Sequence, residues 1–431
     1  MKKLLAIATP SMLLIAFLFS FVPAKKTERN GKTLAEHINP IQFPQPEPTE
    51  PLFSDVSKKR LEQAIQKYFD NAVKRNQIVG ASVAVVKCDS IIYAGGFGNR
   101  NASLKDTVNA NTVFRIGSVS KGFAGILTGI HVQDGDIAWQ DKIIDHIPNF
   151  KLANKTQTNK VTLSHVLSHT SGLPYHSFTN LVEDGLTLTT IAGRFNEVLP
   201  LQEPGNFYNY QNAIFALSGE IIERVTGKPL KEVIQDRIFD PLQMETASAS
   251  YEALEKSENV AMPHQRVRRG WRPMRINKKY YNAVAAGGVN ASAVDMGKWM
   301  KFLLGNNPDV LLPSTMKDVF NPMVQVGGRR NYYQRWPGYK ASFYALGWRI
   351  HEFKDAESGD VNKVIHHGGG VNNYRSEIAI YPNEDIGICV LFNSPNKMAK
   401  DCIPKIHEII KEVMQLESQD NEYMAESLVA L

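Results

Sequence analysis

Apolar residues recur every three to four positions through "DVSKKRLEQAIQKYFDNAVKR", which predicts an amphipathic helix from Asp55 with Asp55 or Ser57 as its cap. The next stretch, "GASVAVVKCDSIIYAGGFG", switches to two short β-rich runs around Lys87–Ser90 and predicts a hairpin. A second β-rich group lies near the other end: "YALGWRI", "KVIHHGG", "SEIAIYP" and "IGICVLFN", separated by turn residues. An amphipathic helix follows around Ile403–Met414, and a polar tail (416–431) closes the chain as a frayed end. Between the two β-rich regions, from roughly Leu152 to Lys279, the pattern is helical and loop-like. This order predicts one sheet built from both ends of the chain, with a mostly helical lobe (about 152–280) inserted into it. No internal repeat is visible.

The N-terminus carries a different pattern. Lys2 and Lys3 precede an almost wholly apolar run from Leu4 to Val22, and Val22 and Ala24 offer small residues for cleavage. That is the layout of an export signal (1–24), and the run is also long enough for an uncleaved membrane anchor. With no cysteine nearby, a lipoprotein anchor is not expected. The proline-rich segment that follows (25–54), including "NPIQFPQPEPTEPLF", reads as an extended spacer, leaving 55–415 as the folded body. The expected location is therefore periplasmic, or membrane-anchored facing outside the cytoplasm.

Composition adds limits. A chain of 431 residues, 43% hydrophobic and 21% charged, is globular and can bury a large core. Its net charge of +6 is too small to argue for nucleic acid. Cys88, Cys389 and Cys402 are too few and too scattered for a disulfide framework, and they read as buried or free thiols.

Candidate chemistry starts in "FRIGSVSKGF". Ser118-Val119-Ser120-Lys121 is S-x-x-K, and at the start of a helix this spacing brings the Lys121 amine to the Ser118 hydroxyl. A serine needs such a base to become a nucleophile. Ser118 could equally be a helix cap, and the motif is short enough to occur by chance, so partners must decide. Two stretches supply them: Tyr210-Gln211-Asn212 before an amphipathic helix, and His367-Gly368-Gly369 entering a strand.

With S-x-x-K, Y-x-N and H-x-G in this order, the chain resembles the penicillin-recognising serine hydrolases. The likeness is to the family of class C β-lactamases, D-alanyl-D-alanine carboxypeptidases, D-aminopeptidases and related esterases. "TVFRIGSVSK", "VTLSHVLSHTSGLP", "ALSGEIIERVTGKPLKEVIQDRIFDPLQMETAS", "AAGGVNASAVDMGKWM" and "YALGW" also look like family segments, so the likeness spans roughly Asp55 to Met414. It implies an α+β fold, an antiparallel β-sheet flanked by helices with the inserted lobe. It implies Ser118 as nucleophile, Lys121 and Tyr210 as proton carriers, and Asn212 orienting the substrate amide or Lys121. The backbone of Ser118 and Gly370 would form an oxyanion hole beside Gly369, and His367 would assist Tyr210 electrostatically. No cofactor and no metal are implied. The expected partner is a small-molecule or peptide substrate, with cell-wall-derived ones included, no nucleic acid, and membrane association through the N-terminus allowed.

Departures bear on substrate. His367 stands where β-lactamases carry lysine, Gly368 where a hydroxyl often grips a substrate carboxylate, and Asn373 where glycine is usual. Arg375 could return a charge. The expected function is therefore an exported serine hydrolase of esterase or D-amino-acid peptidase type. β-Lactamase or D-Ala-D-Ala carboxypeptidase activity is the alternative, and a non-catalytic cell-wall peptide-binding protein is the rival outside enzymes. One of two basic stretches, 264–281 with Arg266, Arg268 and Arg269 or 326–340, is expected to rim the pocket. His165 and His169 have zinc-helix spacing without the glutamate of H-E-x-x-H, and His169 reads as structural. "HGGG" at His367–Gly370 also mimics an α/β-hydrolase loop. The required G-x-S-x-G is missing, since Gly125 and Gly129 flank Leu127.

Overall fold

The structure, a computed structural model, describes residues 53–327, 331–355 and 358–429. The export segment (1–24) and nearly all of the spacer lie outside the described residues. Twelve strands follow the chain: β1 Gly80–Lys87, β2 Ser90–Gly98, β3 Phe114–Arg115, β4 His264–Val267, β5 Gly270–Pro273, β6 Asn290–Ala291, β7 Val324–Gln325, β8 Tyr339–Tyr344, β9 Arg349–Lys354, β10 Val361–Val371, β11 Tyr374–Tyr381 and β12 Ile386–Phe392. Eight of them form one antiparallel sheet in the order β2-β1-β12-β11-β10-β9-β8-β7. The N-terminal hairpin thus pairs with the last strand through the register Val83 to Val390, which closes one sheet from both chain ends.

The sheet is covered on both faces, and the strand period of two sorts side chains between them. From β1, Ala84 and Val86 enter the core shared with the lobe and the Ala293–Leu303 helix. Ala81, Val83 and Val85 face Leu61, Ile65 and Phe69 of the Asp55–Lys74 helix and Ile403, Ile406 and Ile410 of the C-terminal helix. A central strand with two buried faces reads as a continuous apolar run, as "IGICVLF" does in β12.

Three boundaries differ from the sequence expectation. The first helix is capped by Ser54, whose extended backbone lets its hydroxyl accept from Ser57 N, so neither Asp55 nor Ser57 is the cap. The C-terminal helix spans Cys402–Val429 and continues through the polar segment. It is tied there to the first helix by Arg60 donating to Asp420 at 2.7 Å and by Ser54 N donating to Glu417 at 2.6 Å. The chain also leaves the helical lobe before residue 280. Val113 bridges Val260, and His264 N donates to Asn393 O at 2.9 Å, so the β4–β5 hairpin returns to the sheet domain. Among the described residues no helix is long and apolar enough to cross a membrane.

Candidate active site

Three elements meet at Ser118. The residue sits in a single tight turn, Gly117–Val119, that runs directly into the Ser120–Gln133 helix. Across that junction residues three apart face one another, and Lys121 Nζ stands 3.3 Å from Ser118 Oγ. Ser118 is partly exposed. Ser120 is fully buried, its hydroxyl accepting from Val289 N at 3.0 Å.

The turn lies against β10. Gly117 has φ +54°, and a Cβ on it would stand 2.7 Å from Gly370 N. A Cβ on Gly369 would lie 2.0 Å from Ile116 O, whose carbonyl also accepts from Ser376 Oγ at 2.7 Å. Both glycines are therefore required by backbone proximity. The contact sets the Gly370 N–H beside the serine turn, the arrangement that two-amide oxyanion sites need.

Lys121 is completely buried. Its Nζ donates to Asn212 Oδ1 at 2.8 Å and to Ala286 O at 2.7 Å, and it lies 4.9 Å from the centre of the Tyr210 ring. Burial, then the nearby Arg349 charge, push its pKa well below the ordinary lysine value, so the amine can be a neutral base. Asn212, the first residue of the Asn212–Thr226 helix, spends its amide nitrogen on Tyr280 Oη at 3.0 Å. It thus holds Lys121 through its amide oxygen and is itself held by Tyr280 through one of its two amide hydrogens.

Tyr210 is buried, and burial pushes its pKa up to about 12, against the opposing pull of Arg349 and a hydrogen bond with Ser118. Its backbone carbonyl accepts from His176 N at 3.0 Å. His169 holds it from the other side: this histidine has φ +59°, accepts from Gln211 N at 3.2 Å, and sets its ring 4.3 Å from that of Tyr210. His169 therefore positions the tyrosine as well as bracing the lobe. His165 is taken up by the Thr162 capping box.

His367 is buried and does not bond to Tyr210. Its Nδ1 donates to Gly368 O at 2.9 Å and its Nε2 meets Tyr344 Oη at 3.0 Å. Burial, then Arg349 and Lys121, hold its pKa well below 6.5, so this imidazole is neutral. It faces Tyr210 with ring centres 6.5 Å apart. At Gly368 a Cβ would meet Tyr332 Oη at 2.6 Å, Arg375 Nη2 at 2.9 Å and Glu377 Oε2 at 3.0 Å. A tyrosine hydroxyl from another loop fills the place that the motif's hydroxyl leaves vacant.

Arg375 is tied to buried Glu377. Glu377 also accepts from Tyr332 Oη at 2.7 Å and meets His366 Nε2 at 2.9 Å. His366 continues to His351 at 3.0 Å, and His351 to Ser342 at 2.7 Å. Both basic stretches reach the site, 326–340 through Tyr332 at Gly368 and 264–281 through Tyr280, whose hydroxyl accepts from Asn212. Arg266 of the second lies on Trp271 and donates to Asn76 O at 2.6 Å, away from Ser118. Among the described residues the one cluster of metal-ligand type, His131, Asp134 and Asp136, lies at the far end of the Ser120–Gln133 helix.

The sheet, the lobe and the serine turn between them make up a β-lactamase-type fold. The Beta-lactamase family model matches residues 65–410, and the chain belongs to that family. Protein flp of Staphylococcus aureus (strain N315) is 26% identical over 356 residues, covering 80% of this chain and 65% of its own length. Unguisins hydrolase ungD' of Aspergillus campestris is 26% identical over 352 residues, covering 78% of this chain and 62% of its own. The chain thus spans less than two thirds of the length of these relatives. Among solved structures, the octameric penicillin-binding protein homologue from Pyrococcus abyssi superposes with a TM-score of 0.68 at 25% identity, over 82% of this chain and 78% of that one. EstCE1, a hydrolase with promiscuous acyltransferase activity, shares the fold with a TM-score of 0.68 at 19% identity, over 83% of this chain and all of its own.

Proposed function

We propose that this chain is an exported serine hydrolase that opens an ester or amide by forming an acyl-enzyme on Ser118. The observation that carries this reading is the fully buried Lys121 amine, 3.3 Å from Ser118 Oγ and held by Asn212 and Ala286. Burial without a carboxylate partner lowers a lysine's pKa, which suits a base.

Lys121 takes the Ser118 proton as Oγ bonds to the carbonyl carbon. Charge then develops on the carbonyl oxygen between the Ser118 and Gly370 amides. Tyr210 gives its proton to the leaving oxygen or nitrogen as that bond breaks, and the resulting phenolate recovers a proton from the Lys121 ammonium. Water repeats the sequence on the acyl-enzyme and frees Ser118. Every proton is returned, and no cofactor is needed for the balance.

Esterase or D-amino-acid peptidase chemistry is favoured over β-lactamase chemistry. A neutral His367 and a bare Gly368 remove two groups that would grip a β-lactam carboxylate. The apolar, lysine-flanked N-terminus supports export. The test is turnover of short-chain esters, D-Ala-D-Ala peptides and a chromogenic cephalosporin by the wild type and Ser118→Ala. Ester or peptide turnover lost in the variant is expected. Cephalosporin turnover as fast as ester turnover would reverse the substrate ranking, and no turnover or labelling at all would make the chain a binding protein.

A further inference from the structure

The motif order leaves the site without its usual third-motif cation, because His367 is a neutral, buried donor to Gly368 and neighbour of Tyr344. A guanidinium two strands along from the serine fills the gap in space. Arg349 opens β9, with its charge centre 5.6 Å from the Tyr210 ring, 5.6 Å from Tyr344 and 5.8 Å from Tyr333. It is largely buried, and its Nε has no partner. The phenols of Tyr208 and Tyr333 face it; burial raises the pKa values of both, and its charge pulls them down. Its guanidinium stays charged, as arginine does in proteins, and the groups around it are phenols with no carboxylate among them.

The other groups around Tyr210 do not carry a free charge. His169, His176 and His367 all have their pKa values lowered, first of all by burial, and the Tyr344 phenol is pushed the other way by burial, so all are uncharged near neutral pH. Tyr175 also faces Tyr210 as a phenol. Arg375 on β11 is a cation but is compensated by Glu377. Lys121, beneath the ring, is the base itself.

We propose that Arg349 supplies the cation of this site, acting through Tyr210 and Lys121 in the place that His367 leaves empty. It is an electrostatic positioning residue. Its charge keeps Lys121 unprotonated before attack and stabilises the Tyr210 phenolate formed when the leaving group takes its proton. This rests on the acyl-enzyme reading above.

The test is the pH profile of kcat/KM for a short-chain ester, together with the rate of fluorophosphonate inactivation, in the wild type, Arg349→Met and Arg349→Lys. Removing a positive charge raises the pKa of both Lys121 and Tyr210, so both limbs of the Met profile should move to higher pH, by about one unit at this separation. Lysine should return them close to the wild-type positions. Unmoved limbs in a folded Met variant overturn the proposal, as does a Lys variant that behaves like Met. A rise in KM confined to anionic esters, with limbs unmoved, also overturns it and makes Arg349 a substrate anchor. Should the Met variant not fold, Tyr208→Phe and Tyr333→Phe loosen the guanidinium. Limbs displaced in the same direction then support the proposal, and fixed limbs overturn it. A wild type that neither turns over ester nor takes the label fails the hydrolase reading itself, an outcome distinct from all of these.

Discussion

Replacing Gly117 by alanine probes the contact between the serine turn and β10 with one methyl group. The position has φ +54°, where a Cβ costs about 1–2 kcal/mol. The new Cβ would also stand 2.7 Å from Gly370 N and 3.0 Å from Gly370 C, backbone atoms that cannot rotate away. Relief requires the turn and the strand to separate, and that separation draws the Gly370 amide away from the substrate oxygen. Loss of one such donor costs about 10²–10³ in kcat. Gly135→Ala is the control: its φ is +81° and nothing lies within 4 Å of a Cβ there, so it carries the backbone strain alone. Thermal melting and the rate of ester hydrolysis, or of fluorophosphonate capture, should be measured for both. Both variants should melt a few degrees lower, and Gly117→Ala alone should lose about 10²–10³ in rate. An unchanged rate in Gly117→Ala, or an equal loss in Gly135→Ala, would refute the assignment of the hole.

Further outcomes follow from the same geometry. Lys121→Met should lower the rate of ester acylation by about 10²–10⁴ without unfolding the protein, read by circular dichroism and stopped-flow labelling. Asn212→Asp places a carboxylate 2.8 Å from Lys121 Nζ, so the amine should hold its proton to higher pH and the acid limb of kcat/KM should move upward. A limb that stays put would show that Asn212 does not govern Lys121. Glu377→Leu leaves Arg375 without its carboxylate and should cost about 3–5 kcal/mol in urea unfolding, whereas a loss below 1 kcal/mol would show the network to be incidental. Burial opposes ionisation of Glu377, but Arg375, His366 and Tyr332 outweigh it and lower its pKa. Its contribution should thus be complete above the ordinary glutamate pKa and fade as pH falls through the lowered value, measured as stability against pH in wild type and Glu377→Gln.

Much of the site was legible because the chemistry concentrates in short ordered motifs. S-x-x-K specifies a lysine one turn from its serine, and the fold delivers that at 3.3 Å. The two-ended sheet was visible in the β-rich groups at either end of the chain. Arg349 escaped notice because one arginine after "YALGW" carries no local signal. Its meaning comes from tyrosines at 208, 210, 333 and 344 that converge only in three dimensions. His169 reads as structural from the sequence, and its contact with Tyr210 depends on a left-handed backbone that no pattern announces. His367 is legible in part. Its motif position implies electrostatic help to Tyr210, while its hydrogen bonds to Gly368 and Tyr344 could be found only in the fold. The polar C-terminal segment looked frayed because its anchors, Ser54 and Arg60, lie at the other end of the chain.

The central claim is that Ser118, and not its buried neighbour Ser120, forms the covalent bond. Intact-mass and peptide mass spectrometry after fluorophosphonate treatment tests it directly, with Ser118→Ala and Ser120→Ala beside the wild type. The account predicts one adduct, on the peptide at Ser118, absent from Ser118→Ala and retained by Ser120→Ala. An adduct that survives in Ser118→Ala, or that maps to another residue, would contradict it.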